Sequence, residues 1–193
     1  MSTIELRHSY LLRQAAVRTL PERDLRPDEL WRVVRELAAD PRVWRLHARH
    51  DPRERWHARI YWSPDVEIYL LGWEANQDTR VHDHGDSAGA FCVAEGSLLD
   101  QYGRAGATIL RERAHCAGSG AMFDSEYVHN LRHVGPAPAV SLHAYSPPLT
   151  LMRFYRQGAD GQYVAVDQLP IGPQEPADDR TRVAVGADAG EEE

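Results

Sequence analysis

Cysteine is scarce in this chain: two among 193 residues, Cys92 and Cys116, in unrelated surroundings. That argues against a disulfide framework and makes a reducing cytoplasm the expected setting. A basic excess is also missing. Lys and Arg number 22 against 29 Asp and Glu, a net charge of −7, so no nucleic-acid partner is expected. No apolar run is long enough to span a bilayer, and "MSTIELRHSYLLRQAAV" is charged and amphipathic rather than the apolar centre of a signal peptide. No membrane partner is expected either. Internal repeats are absent, and low complexity is confined to the C-terminal tail. A chain of this length holds one domain with a substantial core, plus tails.

Helical periodicity is confined to the N-terminal part. "RPDELWRVVRELAAD" places Leu30, Trp31, Val33, Val34, Leu37 and Ala38 on one 3.6-period stripe, with Asp28 or an adjacent residue as N-cap beside Pro27. "ELRHSYLLRQAAV" gives a weaker helical pattern. From about residue 56 the period changes. "HARIYW", "VEIYLLGW", "TRVHDH", "GAFCVAEGSLLDQY", "ATILRER", "AVSLHAYS" and "LMRFYR" are short apolar or alternating runs separated by Gly, Pro, Asp and Ser. Many short strands without intervening helices suggest a sandwich or barrel and argue against a parallel βαβ sheet. The chain therefore divides into an N-terminal helical segment, 1–55, packed on a β-barrel, 56–171, and an acidic tail, 172–193, expected to be disordered.

Ten histidines are many for this length. His8, His47, His50, His57 and His115 stand alone and read as surface or hydrogen-bonded core residues. His82 and His84 do not stand alone. On a strand, side chains at i and i+2 share a face, so an extended "TRVHDH" would project both into one space. Two adjacent imidazoles would repel one another if both were charged, and a metal supplies a reason for the pairing, because neutral imidazole is its commonest ligand. The competing reading is a strand edge with two solvated histidines.

The surroundings favour the metal. "HDHGDSAG" and the residues around it resemble the first cupin motif, in which a Gly precedes His-x-His, a Glu follows, and a second Gly closes the motif. Asn76 stands at the leading Gly position and tolerates a left-handed backbone, and Gly96 stands at the trailing one. Gly89 holds the place of the Glu, so the usual carboxylate ligand is missing. "GSGAMFDSEYVHNLRHVG" resembles a degenerate second cupin motif. Gly118 matches its leading Gly, Asp124 and Glu126 replace Pro or Gly, and His129 falls where the ligand histidine belongs; His133 is a bystander on spacing.

Further on, "PAVSLHAYSPP" puts Ser141, His143 and Tyr145 at i, i+2 and i+4. A polar row on one strand face is costly to bury unpaired and makes sense as a hydrogen-bonded relay ending in a phenol. "HDHGDSAG" together with "SLHAYSPP" resembles the cysteine dioxygenase family of cupin thiol dioxygenases, over about residues 55–150. The resemblance implies an all-β core, a small jelly-roll-like cupin barrel with N-terminal helices. It implies Fe(II) held by His82, His84 and His129, with Ser141, His143 and Tyr145 as the catalytic row. It implies Arg59, in "HARIYW", as the grip on a substrate carboxylate. The partners are then O₂ and a small thiol. L-cysteine, oxidised to cysteine sulfinic acid, leads; 3-mercaptopropionate, cysteamine or a thioimidazole such as ergothioneine are alternatives, as is a metal-binding cupin without turnover. Where the mammalian enzymes carry a cysteine that crosslinks to the tyrosine, this chain has Gly89, with Cys92 three residues further on; in this it is similar to bacterial members.

The missing carboxylate has a physical sense. Three neutral imidazoles leave iron its full charge, which a substrate thiolate then partly neutralises. Trp62, Trp73 and Tyr69 are expected in the core or lining the pocket, Cys92 as a buried small hydrophobe, and "RERAH" as a solvated face.

Overall fold

The computed structural model describes residue 17 and residues 19–172. The weaker helical pattern before Val17 and the acidic tail lie outside the described residues, save for their last and first positions. Helix α1 (Pro27–Ala39) forms as its apolar stripe predicts, burying Leu30, Val33, Val34, Leu37 and Ala38. Its cap differs from expectation. Arg26 is the N-cap and Pro27 follows at N1, while Asp28 lies inside the first turn. The carboxylate of Glu29 accepts the Arg26 backbone N–H at 2.9 Å, half of a capping box, which satisfies a donor that the Arg side chain cannot. A short helix α2 (Pro41–Trp44) follows, begun by Asp40 accepting from the Arg42 N–H.

Ten strands complete the described residues: β1 (Trp56–Trp62), β2 (Glu67–Trp73), β3 (Ala88–Glu95), β4 (Ser97–Arg104), β5 (Arg111–Cys116), β6 (Gly120–Phe123), β7 (Tyr127–His133), β8 (Ala139–Ser146), β9 (Leu151–Gln157) and β10 (Tyr163–Pro170). They form a five-stranded sheet in the order β1-β2-β8-β3-β6, a three-stranded sheet β5-β4-β7 and a ribbon β10-β9, and every named pairing is antiparallel. "GAFCVAEGSLLDQY" is two strands rather than one. Gly96, at φ +78°, turns the chain between them, and a Cβ there would meet Ala139 at 2.6 Å.

"TRVHDH" is not a regular strand. Asn76 at φ +67° and Arg80 at φ +60° interrupt the extended backbone. The segment still bridges, with Asp78 and His82 opposite Arg132 and His129 of β7, and His82 also opposite Phe154 of β9. It thereby joins the three-stranded sheet to the ribbon as one layer facing the five-stranded sheet. The result is an antiparallel two-layer β structure of cupin type, with α1 on its outer side.

The period of two sorts the core. Ile68, Leu70, Ala90, Cys92, Leu142 and Ala144 face α1 and its stripe. Leu71, Trp73, Phe91, Val93 and Tyr145 face the other way, into the interior with Leu98 and Leu131. Cys92 is thus the buried hydrophobe expected, its thiol pushed up to about 11 by burial. Trp73 is fully buried, but Trp62 is 44% exposed at the end of β1 and serves neither core nor pocket. "RERAH" is solvated except for His115, which is buried.

Candidate metal centre and active site

The interior face carries the polar residues. His82 is fixed by the bridge to β7: its N–H donates to the His129 carbonyl at 2.8 Å and its carbonyl accepts the His129 N–H at 2.9 Å. His84 follows at a turn closed by Ser87 N–H on the His84 carbonyl, with Gly85 at φ +61°. Between them Asp83 points away from the imidazoles and pins the segment. It accepts from Tyr155 Oη at 2.7 Å, Arg153 Nη1 at 3.1 Å and the Gly85 N–H at 3.0 Å.

The structure brings His82, His84 and His129 together. One ring nitrogen of each lies within 4.8 Å of the others, and all three side chains are buried. Arg80 lends its carbonyl to His82 Nδ1 at 3.0 Å, and Asp100 a carboxylate oxygen to His129 Nδ1 at 3.1 Å. Those contacts hold a proton on each Nδ1 and turn Nε2 inward as a lone-pair donor. Neither ring nitrogen of His84 has a hydrogen-bond partner among the described residues, although both are buried. An orphaned imidazole beside two oriented ones fits a bound metal ion, which would take its lone pair. Burial, then the neighbouring imidazoles, pushes the pKa of His84 well below its ordinary value, and His82 is lowered in the same way, so both are neutral as a metal requires.

Asp100 is a site residue that the sequence patterns did not single out. It is fully buried on β4. It also accepts from Tyr127 Oη at 2.7 Å, and His115 Nε2 stands 3.6 Å away. Burial opposes its charge, but His115, His129 and Tyr127 outweigh that and hold it below the ordinary carboxylate range. A signal existed: Leu98 and Asp100 share the inward face of an alternating run, and an acid at a core position needs partners. His115, read as a lone imidazole, belongs to this network. His133 closes on the Ala137 carbonyl at 2.8 Å, away from the cluster.

Across the interior, β8 presents Ser141, His143 and Tyr145 as one row. Ser141 Oγ lies 2.8 Å from His143 Nε2, and His143 Nδ1 lies 3.4 Å from Tyr145 Oη. Trp73 donates its indole N–H to Ser141 Oγ at 2.9 Å, anchoring the row. The Tyr145 ring centroid is 5.0 Å from that of His84, so the row ends beside the cluster. Burial, then Tyr69 and Glu67, pushes the Tyr145 phenol far up, so it keeps its proton. Gly89 pairs with Tyr145 across the β3–β8 ladder, and a Cβ there would meet the Phe123 ring at 2.4 Å. Phe123 in turn stacks on His84 at 4.8 Å. The position that carries a carboxylate in other cupins is filled by an aromatic wall.

Arg59 shares a register position with Tyr69 on the same wall, and its Nη1 lies 3.4 Å from the buried carboxylate of Glu67. Arg55, just before β1, was not among the expected site residues. Its Nη1 donates to the Asp78 carbonyl at 2.6 Å and its guanidinium lies 5.2 Å from the Trp73 ring centroid.

An antiparallel cupin with a buried three-histidine cluster is a protein built to hold a metal ion among neutral ligands. The chain belongs to the cysteine dioxygenase type I family, whose sequence model matches residues 12–158. Cysteine dioxygenase type 1 of Bos taurus is 24% identical over 147 residues, covering 69% of this chain and 72% of its own length. The Homo sapiens protein of that name is 24% identical over 143 residues, covering 67% and 70%. Among solved structures, a protein of Thermus thermophilus is 21% identical with a TM-score of 0.48, covering 53% of this chain and 92% of its own.

Proposed function

We propose that the protein is an Fe(II)- and O₂-dependent dioxygenase that oxidises a small thiol to its sulfinic acid, with L-cysteine the leading substrate. The reading is carried by one juxtaposition: a carboxylate-free cluster of His82, His84 and His129 facing the Ser141–His143–Tyr145 row across a buried interior. Bound iron would supply the Lewis acidity that deprotonates the thiol and the redox chemistry that activates O₂. Both oxygen atoms end on sulfur, so the thiol and O₂ balance the sulfinic acid without another reductant.

The chain's own groups position and protect. Burial of the three imidazoles keeps bulk water from the sulfur. Ser141 donates to His143 Nε2, which leaves the proton on Nδ1, directed at the Tyr145 oxygen. The Tyr145 proton then points into the site as a fixed donor for the substrate or for developing negative charge. Burial holds the His143 pKa well below its ordinary value, so this polarity of the relay survives at neutral pH. Gly89, with no thiol to offer opposite Tyr145, supports a reading without a Cys–Tyr crosslink, as in bacterial members of the family. The scarcity of cysteine supports a cytoplasmic site of action.

The test is oxygen consumption by iron-loaded protein, with product mass, across L-cysteine, 3-mercaptopropionate, cysteamine and ergothioneine. The expected result is uptake with a product two oxygen atoms heavier than the thiol. His84→Ala should lose both bound iron and uptake. A wild type that holds one iron per chain yet oxidises none of these thiols overturns the reading in favour of a metal-binding cupin.

A further inference from the structure

Among the described residues, two other than glycine have a positive φ, and both lie just ahead of the histidine pair: Asn76 at +67° and Arg80 at +60°. Asparagine adopts this left-handed conformation readily. Arginine does so rarely, because its Cβ crowds the following carbonyl. A backbone angle of this kind persists only where the surroundings enforce it.

At Arg80 the surroundings do so from two sides. The Arg80 N–H donates to Asp78 Oδ1 at 2.9 Å, closing a local side-chain turn. The guanidinium carbon stands 4.3 Å from the Phe154 ring centroid on β9, and Nη2 lies 3.8 Å from Asp167 Oδ2 on β10. That ion pair is exposed and adds little, whereas the stack covers a buried ring. The preceding residue is fastened to the other sheet: the Thr79 N–H donates to the Leu131 carbonyl at 3.0 Å, and Thr79 Oγ1 accepts the Leu131 N–H at 2.9 Å. The turn is thus held between β7 and the β9–β10 ribbon. Its consequence falls on His82. The acceptor 3.0 Å from His82 Nδ1 is the Arg80 carbonyl, whose direction follows from the Arg80 backbone angles. Phe154, under the guanidinium, is also the bridge partner of His82, with its ring centroid 6.2 Å from the imidazole.

We propose that Arg80 is a positioning residue of the metal centre: its side chain, laid over Phe154, holds a left-handed turn that aims its own carbonyl at His82 and so fixes the ligand nitrogen of that ring. This rests on the metal-centre reading of the three histidines and not on the identity of the thiol. If Arg80 relaxed to an extended conformation, its carbonyl would turn away. His82 would then lose the acceptor that keeps the proton on Nδ1 and the lone pair on Nε2. The guanidinium acts through the backbone, and its charge is not what the metal site needs.

The experiment compares Arg80→Ala, Arg80→Gly and Arg80→Asn. All three remove the guanidinium. Alanine still resists the left-handed turn, whereas glycine adopts it freely and asparagine tolerates it. Co(II) serves as the probe, its affinity read by competition with a calibrated chelator. The tautomer of His82 is read by nitrogen NMR on the metal-free proteins. Arg80→Ala should weaken Co(II) binding on the order of tenfold or more, the usual effect of losing an outer partner of a ligand histidine, and should show His82 as a mixture of tautomers. Arg80→Gly and Arg80→Asn should recover most of the affinity and the single Nδ1–H tautomer. If all three variants match wild type, the side chain does not bear on His82 and the proposal is overturned. If all three lose affinity equally, the guanidinium acts by its charge or its contacts and not through the turn, which overturns it as well. If wild type binds no Co(II), the metal reading fails separately, and the His82 tautomers of the metal-free proteins still decide for or against Arg80.

Discussion

Asp100 is the residue on which the geometry of the cluster turns. His129 sits on a regular strand, but its ring could rotate; the carboxylate of Asp100 at 3.1 Å fixes both its plane and its tautomer. Removing an outer partner of a metal-bound histidine commonly costs about 10–100-fold in metal affinity. Asp100→Asn keeps the shape and removes the charge, so it should weaken iron binding by roughly that factor, as measured by competition with a calibrated chelator. The effect should exceed that of Tyr127→Phe, which removes only one of the groups bonded to Asp100. An Asp100→Asn protein with wild-type metal affinity would show that the strand alone orients His129.

At the scale of elements, β3 shows how a strand accommodates a site by omission. Gly89 lies opposite Tyr145, and any side chain there drives into Phe123, whose ring backs His84. Gly89→Ala is expected to destabilise the protein by about 1–3 kcal/mol, the usual range for overpacking. Because the Phe123 ring stacks on His84 and Tyr127 and lies 5.5 Å from that of His129, metal affinity should fall as well. Denaturant unfolding and metal titration of the same variant check both, and a loss of stability without a loss of affinity would place the strain elsewhere. Elements with a clean period were legible from sequence. α1 carries its stripe, and β2 and β8 alternate in register, so the Ser141–His143–Tyr145 row follows from spacing alone. The segment holding His82 and His84 was legible in chemistry but not in shape. Left-handed residues at 76 and 80 break its extended run, and its pairing depends on β7 and β9, far off in sequence. β6 and β7 were read only as a motif, because Asp124, Glu126 and the histidines interrupt their apolar pattern.

For the whole molecule, the cluster lies where the layers meet. His129 belongs to the three-stranded sheet, and His82 and His84 to the segment that ties that sheet to the β9–β10 ribbon. Tyr145, beside His84, belongs to the five-stranded sheet. A metal bound by the three histidines therefore links parts of the fold that are otherwise joined by bridges and packing. Without it, the buried His84 nitrogens lack partners, which weakens the native state against an unfolded chain where water satisfies them. A ligand that binds only the folded chain adds about 2.7 kcal/mol at a free concentration one hundred times Kd. For a domain of this size, that corresponds to a rise in Tm of about 5–10 °C. Stripping the protein with a chelator should lower Tm by that amount, and anaerobic Fe(II) should restore it. His84→Ala should begin close to the stripped wild type, since it deletes the orphaned imidazole, and should show little or no rise on adding metal. A wild type whose Tm ignores both chelator and Fe(II) would mean that the three imidazoles are held by packing alone.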